Sequence, residues 1–478
     1  MDWNRGLGAM GILSLLAAGF PASIYGQDDV PAQSERALTR ELLQELIEIN
    51  TAPANGCTKA AEAMAARLRS AGFPDGDVLM AGPRPEKQNL VVRLRGRGQA
   101  KPILWIAHLD VVDAPREGWL PGLDPFRLTE REGFFYGRGV LDVKNAVAGL
   151  VANLIRLRAE GFVPSRDVIV ALTADEETGG SNGVSWLLAN RRDWIDSAYC
   201  LNLDAGGGQI ENGKRARLTV QTSQRTNQSF RAETKGPGGH SSQPVKNNAI
   251  YRLSAGLARL AEHDLPFRFN ESTRTYFERV AEAESGPVAA DLKAVAKDPP
   301  DLEAAKRLSA VTPYYNSVLR TTCVATRIEG GSADNALPPS ARAVINCRIF
   351  PGDSTAFVRG WLAETLADPE IVLTPMGGSV PSPASPLLPE VMEPIARVAK
   401  EMWPGIPVLP VMDPWAGDSA QMRRAGFPTF GASGVFSDDN GNEHGANERI
   451  SVEAFYDSVE YIYRLMKRLV TDGATANR

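Results

Sequence analysis

Between Pro102 and Leu203, three short apolar runs alternate with helical patterns, and each run leads into acids or an imidazole. The runs are Pro102-Ile-Leu-Trp-Ile-Ala107, Asp167-Val-Ile-Val-Ala-Leu-Thr173 and Ala198-Tyr-Cys-Leu-Asn-Leu203. Val147 to Leu157 and Val184 to Arg191, between them, read as helices. Apolar runs this short, bounded by polar residues, fit strands buried on both faces. Strands alternating with helices imply βαβ units, so the fold class is α/β, a mostly parallel mixed sheet with helices on both faces.

Upstream, Ser34 to Ile49 carries Leu38, Leu42, Leu46 and Ile49 at helical spacing, and Ala60 to Ala71 reads as a second helix. Near Thr222 the texture changes to polar β-like stretches. Helices are expected around Asn248 to Glu262 and from Val288 to Leu308, and strands over Ser317 to Ile328 and Arg342 to Phe350. After Gly352 the α/β texture returns, with helices over Ala356 to Leu366, Pro389 to Met402 and Ser451 to Leu469. Strands are expected there over Val408 to Met412 and Thr429 to Ala432. The 478 residues are therefore expected to divide into an α/β domain in two parts, 27–222 and 353–478, and an inserted α+β domain, 223–352.

Residues 1–26 resemble a cleaved signal peptide: Arg5 precedes the apolar run Met10 to Phe20, and small residues follow at Ala22 and Gly26. That run is too short to span a bilayer, which takes about 20 apolar residues. The reading places the protein in the periplasm or outside the cell, with no membrane attachment after cleavage; a plain N-terminal tail is the competing reading. With 52 basic and 57 acidic residues the net charge is −5, which argues against broad nucleic-acid binding. Only four histidines are present, so any metal site must lean on carboxylates.

Ligands in open α/β sheets bind beyond the carboxyl ends of the strands. His108 and Asp110 follow the first run, Asp175, Glu176 and Glu177 the second, and Asp204 the third. Asp142 ends the stretch Tyr136-Gly-Arg-Gly-Val-Leu-Asp142 just before a helix, and His444 lies in the late polar loop Glu443 to Glu448. Taken singly, a loop His is usually a surface residue and a Glu pair is usually solvated. Taken together, so many carboxylates on one sheet edge repel unless cations sit among them. A pair of divalent metals answers this, and nitrogen plus carboxylate ligands suit Zn²⁺, with Co²⁺ or Mn²⁺ as substitutes.

These stretches resemble the cocatalytic zinc exopeptidases, the family of glutamate carboxypeptidase, carnosinase-type dipeptidases, aminoacylase and succinyl-diaminopimelate desuccinylase. The resemblance rests on His108-Leu-Asp110, Gly137 to Lys144, Ala174 to Gly179, Asn202-Leu-Asp204, Gly238 to Ser242, and His444 with Asn447-Glu448, in that order. It implies two Zn²⁺ per subunit, one on His108 and Asp204, the other on Glu177 and His444, with Asp142 bridging. Asp110 would orient His108, and Glu176 would be the general base. The inserted block would be a lid and dimerisation domain. His240 would stabilise the developing oxyanion, across a homodimer in dimeric members. Arg348 would grip the substrate's terminal carboxylate, and Asn335 and Gly417 match substrate-binding positions. His263 matches nothing.

Two positions depart from the family pattern or divide its branches. Val143 stands after the bridging Asp142, where the family often has Asp, Met or Asn. Asp204 resembles the dipeptidase and carboxypeptidase branch, where deacylases tend to carry Glu. The resulting expectation is a dizinc peptidase acting on dipeptides or on C-terminal residues of small peptides, with an N-acyl-amino-acid amidohydrolase as the alternative. A serine hydrolase is a rival, because Gly179-Gly-Ser181-Asn-Gly183 fits Gly-x-Ser-x-Gly, although Ser181 falls well past the end of its strand. A non-catalytic binding protein on the same scaffold is the other rival.

If the two strands of the inserted block pair antiparallel, residues whose numbers add to about 670 face each other, placing Cys323 opposite Cys347. A disulfide is expected there, against two buried thiols as the competing reading, and Cys57 and Cys200 are expected to stay unpaired.

Overall fold

The computed structural model describes residues 33–377, 380–415, 417–438 and 441–471. The expected signal peptide lies outside them. The three apolar runs form the centre of a ten-stranded mixed sheet. Ile103–His108 lies between Val168–Thr173 and Cys200–Asn202 and runs parallel to both. Thr429–Gly431 continues the parallel order beside Cys200–Asn202. The flanks turn antiparallel, through Lys87–Leu94 on one side and Lys214–Gln224 on the other.

The pleat sends alternate side chains of Ile103–His108 to opposite faces. Ile103, Trp105 and Ala107 enter one core, with helices Gln33–Glu48, Lys144–Ala159 and Val452–Thr471. Leu104 and Ile106 enter another, with Gly183–Asn190 and residues near Asp418–Arg424. Each fully buried aliphatic side chain contributes about 1.5–3 kcal/mol, so a strand apolar on both faces is held firmly at this depth. The residues just past its end are therefore fixed in space.

A separate four-stranded antiparallel sheet has the order Thr322–Gly330, Ser340–Ile349, Thr226–Lys235, Val372–Met376. One face packs on helices Ala249–Glu262 and Thr355–Leu366. The expected domain end at 352 is corrected here: Thr355–Leu366 and Val372–Met376 belong with the inserted sheet. Val372–Met376 is a short, exposed edge strand containing Pro375, so it carries no apolar alternation to read. The helices between Glu271 and Leu319 also sit differently than expected. Their core includes Leu409, Val411 and Met412, so they cover the large sheet rather than the small one. The expected helix from Val288 to Leu308 is two helices, Gly286–Ala296 and Leu302–Val311. The stretch expected to be strand from Ser317 begins as the end of helix Pro313–Leu319, and the strand starts at Thr322.

Cys323 and Cys347 are directly opposed and joined in a disulfide, with Cα atoms 4.1 Å apart. Pairs at this end of the ladder add to the expected sum; a bulge between Ala325 and Arg327 shifts the rest. Cys57 and Cys200 are buried and free. Thiol titration of the denatured, unreduced protein should therefore find two thiols per chain; four would contradict the cross-strand bond.

Candidate metal centre

His108 is the last residue of its strand and is buried. Its Nδ1 lies 3.0 Å from the Asp110 carbonyl oxygen, which turns Nε2 toward the acids. Nε2 is 3.0 Å from Asp142 Oδ1 and 3.7 Å from Asp204 Oδ1. The other Asp142 oxygen, Oδ2, is 2.8 Å from His444 Nε2, and that nitrogen is 3.2 Å from Glu177 Oε2. Asp142 thus presents one oxygen to each of two imidazoles, each with a further carboxylate beside it. The metal-capable side chains group as His108, Asp142 and Glu177, and as Asp142, Glu443 and His444, with Asp142 common to both.

Asp110 does more than face His108. Its two carboxylate oxygens accept the backbone N–H groups of Glu176 and Glu177, each at 3.1 Å. That sets the acidic loop after strand Val168–Thr173 against the loop after Ile103–His108. Asp175 has φ 57°, a left-handed conformation that a non-glycine residue holds only when its surroundings enforce it. Lys87 Nζ and Thr178 Oγ1, each at 2.5 Å, and the Ser181 N–H supply that enforcement by donating to its carboxylate.

Asp142 and His444 are joined from behind by Glu448. Its buried carboxylate accepts N–H groups from Gly139, Leu141 and Asp142 at 2.8–3.1 Å and pairs with Arg138 at 2.6 Å. Arg138 also donates to the carbonyls of His444 and Gly445. Removing one partner of such a buried pair typically costs about 3–5 kcal/mol, which makes the two loops one unit. The peptide between Asp142 and Val143 is cis.

The electrostatics follow from the crowding. Burial opposes charging of His108, but Asp142 and Asp204 outweigh it and hold the imidazole well above its usual range. Asp142 and Glu177 push His444 up to about 10. Burial would raise Asp142, but the two imidazoles hold it below the usual carboxylate range. Glu176 is pushed well above that range by burial and by Asp204, with Asp418 and Glu177 adding to the effect. Burial pushes Asp204 and Asp418 each up to about 6.

The donors fit a pair of divalent cations. Two imidazole nitrogens and several carboxylates converge, and Glu177 Oε1 is buried with no hydrogen-bond partner among the described residues, as an oxygen reserved for a cation would be. Glu443 was not expected here, yet its carboxylate groups with Asp142 and His444. Although the residue is exposed, burial of the carboxyl end and the charges of Asp142 and Asp204 push it up to about 7. Its position next to His444 was the available signal. Asp418, next to Gly417, also lies at the centre and accepts from Asn182 at 2.7 Å and Thr173 at 3.2 Å. Lys87 gave no signal.

Gly417 stands against the centre: a β-carbon there would lie 3.4 Å from Glu176 Oε1 and 3.5 Å from Asp204 Oδ2. Arg348 is half-buried and donates to the Pro414 carbonyl at 3.0 Å, three residues before Gly417. His240 and Asn335 are brought together elsewhere. Gly239–His240 pairs with Ala336–Leu337, and the Ser241 N–H donates to the Asn335 carbonyl. His240 is exposed and bonds to Ser242 Oγ at 2.7 Å; among the described residues it makes no hydrogen bond to the metal centre. His263 is exposed and bonds to the Arg259 carbonyl. The serine-hydrolase reading fails on geometry. Ser181 lies in a turn well after Thr173, and its N–H serves Asp175, not an oxyanion.

The comparisons agree with this geometry. Human N-fatty-acyl-amino acid synthase/hydrolase PM20D1 is 30% identical over 385 residues, 78% of this chain and 75% of its own. A Sulfolobus solfataricus M20 metallo-carboxypeptidase shares the fold with a TM-score of 0.66 at 16% identity, over 90% of this chain and 99% of its own. A dinuclear metal-binding M20 peptidase from Bacillus subtilis superposes with a TM-score of 0.59 at 12% identity, over 91% and 99%. Residues 104–468 match peptidase family M20/M25/M40, a span that takes in every acid and imidazole of the centre, and the chain belongs to that family of peptide- and amide-bond hydrolases.

Proposed function

We propose that the protein hydrolyses the amide bond that joins an acyl or aminoacyl group to an amino acid bearing a free α-carboxylate. The natural substrates on this reading are dipeptides and the C-terminal residues of short peptides. The observation that carries it is Asp142, with one oxygen toward His108 and the other toward His444. Two Zn²⁺ ions are assigned, with Co²⁺ or Mn²⁺ as substitutes: His108 and Asp204 would hold one, Glu177 and His444 the other, with Asp142 placed to serve both. When bound, the cations supply Lewis-acid charge that acidifies the attacking water and polarises the scissile carbonyl.

The chain's own residues do the rest. Glu176 takes the proton from the attacking water and returns it to the leaving nitrogen. Its burial, with the charges of Asp204, Asp418 and Glu177, favours proton uptake. Asp110 orients the His108 ring and both glutamates of the acidic loop. Arg348 holds the substrate's carboxylate, since among the described residues its guanidinium has no carboxylate partner. Gly417 keeps the space beside Glu176 and Asp204 clear for the scissile amide. His240 and Asn335, on their exposed ribbon, are assigned to the oxyanion and substrate, with His240 reaching the centre of a partner subunit. A homodimer through the inserted domain has a physical motive: Thr322–Gly330 is an exposed edge strand carrying Val324 and Ile328, at 60% and 61% exposure. The exported location rests on the apolar run before Gly26 and gains support from the Cys323–Cys347 bond.

One observation favours a second reading, hydrolysis of N-acyl amino acids: the human relative is named for N-fatty-acyl-amino acids. Both readings share the bond cleaved and the free carboxylate. They separate in an assay of the metal-loaded enzyme against dipeptides and N-acyl amino acids of the same C-terminal residue. The peptidase reading expects dipeptides to be cleaved with the higher kcat/KM; a preference for N-acyl substrates hands the site to the second.

Glu176→Gln should keep the bound metal and lower kcat by about 10²–10⁴-fold or more, because one group serves as base and then acid. Near wild-type turnover in that variant would remove Glu176 from its role. Amidating the substrate's C-terminus should cost the wild type heavily and Arg348→Lys little, since an ammonium cannot make the paired planar contact. Equal cleavage of free and amidated substrates by the wild type would contradict the carboxylate grip.

A further inference from the structure

Arg225 is the single residue between strands Lys214–Gln224 and Thr226–Lys235, where the chain passes from the large sheet to the inserted one. It is only 6% exposed. Its backbone N–H donates to the Asp413 carbonyl at 2.9 Å. Its Nη1 donates to the Ser317 carbonyl at 3.1 Å and to Thr322 Oγ1 at 3.2 Å. Thr322 is paired directly with Arg348, so their side chains leave the same face of the sheet. The Thr322 hydroxyl therefore brings the Arg225 guanidinium beside that of Arg348.

Among the described residues, neither guanidinium has a carboxylate partner. A nearly buried arginine without an acid is unusual, because buried charges are normally paired. Here a second cation lies beside it. Burial and the charge of Arg348 together push the Arg225 guanidinium down to about 10. Both arginines are tied to the same short segment, Arg225 to Asp413 and Arg348 to Pro414, and that segment leads to Gly417 against Glu176 and Asp204. Two positive charges without a carboxylate partner among the described residues thus lie side by side, and one of them is anchored three residues before Gly417.

We propose that Arg225 is a second carboxylate-binding residue, which holds the substrate's α-carboxylate jointly with Arg348. The inference rests on the reading of the site as an amidohydrolase for substrates with a free carboxylate, and it names the group that makes that carboxylate mandatory. Two guanidiniums give the two carboxylate oxygens more donors than one fork can. The bound anion neutralises a like-charge pair that the protein leaves open. Because Arg225 sits at the crossover between the sheets, the same contact fixes the inserted domain over the centre. Acidic leaving residues are favoured, since one carboxylate leaves one positive charge over.

The experiment compares free-acid and C-terminally amidated forms of one substrate in wild type, Arg225→Gln and Arg225→Lys, with melting temperatures measured alongside. In wild type the free acid is preferred. Arg225→Gln should raise KM for the free acid by about ten- to a hundred-fold, the usual worth of a charge-assisted hydrogen bond, and shrink the preference for acid over amide by the same factor. Arg225→Lys should fall between. A purely structural role would lower both substrates alike and leave the preference intact, which overturns the inference. If wild type shows no preference at all, the reading of Arg348 fails first, and that failure is distinct. Should both variants fail to fold, a crystal structure of the wild type with a product amino acid decides. A carboxylate within hydrogen-bond distance of both guanidiniums supports the proposal, and one held by Arg348 alone overturns it.

Discussion

One carboxylate, Asp142, stands between two imidazoles, and much of the surrounding structure serves to keep it there. Asp204, Glu177 and Glu443 crowd around it, with Glu176 and Asp418 beside Asp204, a concentration of negative charge that a buried site does not tolerate without compensation. The same acids raise the imidazoles of His108 and His444 above their usual range. Cations placed between the same groups would displace the imidazole protons, so metal binding and imidazole deprotonation are one event.

The centre is assembled from segments far apart in sequence, and each is held by a buried polar contact rather than by local structure. Asp110 ties the first strand end to the acidic loop. Lys87, from a hairpin, holds Asp175, and Arg138 with Glu448 joins segments 310 residues apart. Behind them lies a core of strands apolar on both faces, which supplies rigidity but no chemistry. The inserted sheet brings different equipment: a disulfide-braced edge, Arg348, and the ribbon carrying His240 and Asn335. The chain crosses between the two sheets at Arg225, which bonds to Thr322, the residue paired with Arg348.

The central strands were legible because apolar runs of that length leave little choice of environment, and the acids past their ends were legible because such sheets bind ligands there. The Cys323–Cys347 bond was legible because strand register is arithmetic once two strands pair. Other parts were not. Val372–Met376 has an exposed pattern that no periodicity marks, so the sequence carries no sign that the inserted domain extends past 352. The helices from Glu271 to Leu319 show an apolar face but not which sheet it covers. Lys87, Arg138 and Arg225 act through partners distant in the chain, and a lone basic residue carries no trace of its partner. Glu443 was hidden by its neighbour His444, which claimed the role first.

The central claim is that Asp142 is shared by two cations. Metal analysis of wild type and Asp142→Asn after loading with Zn²⁺ and desalting tests it most directly. The account predicts two ions per chain in wild type and loss of tight binding at both positions in the variant. A single ion in wild type, or two ions retained in Asp142→Asn, would contradict it.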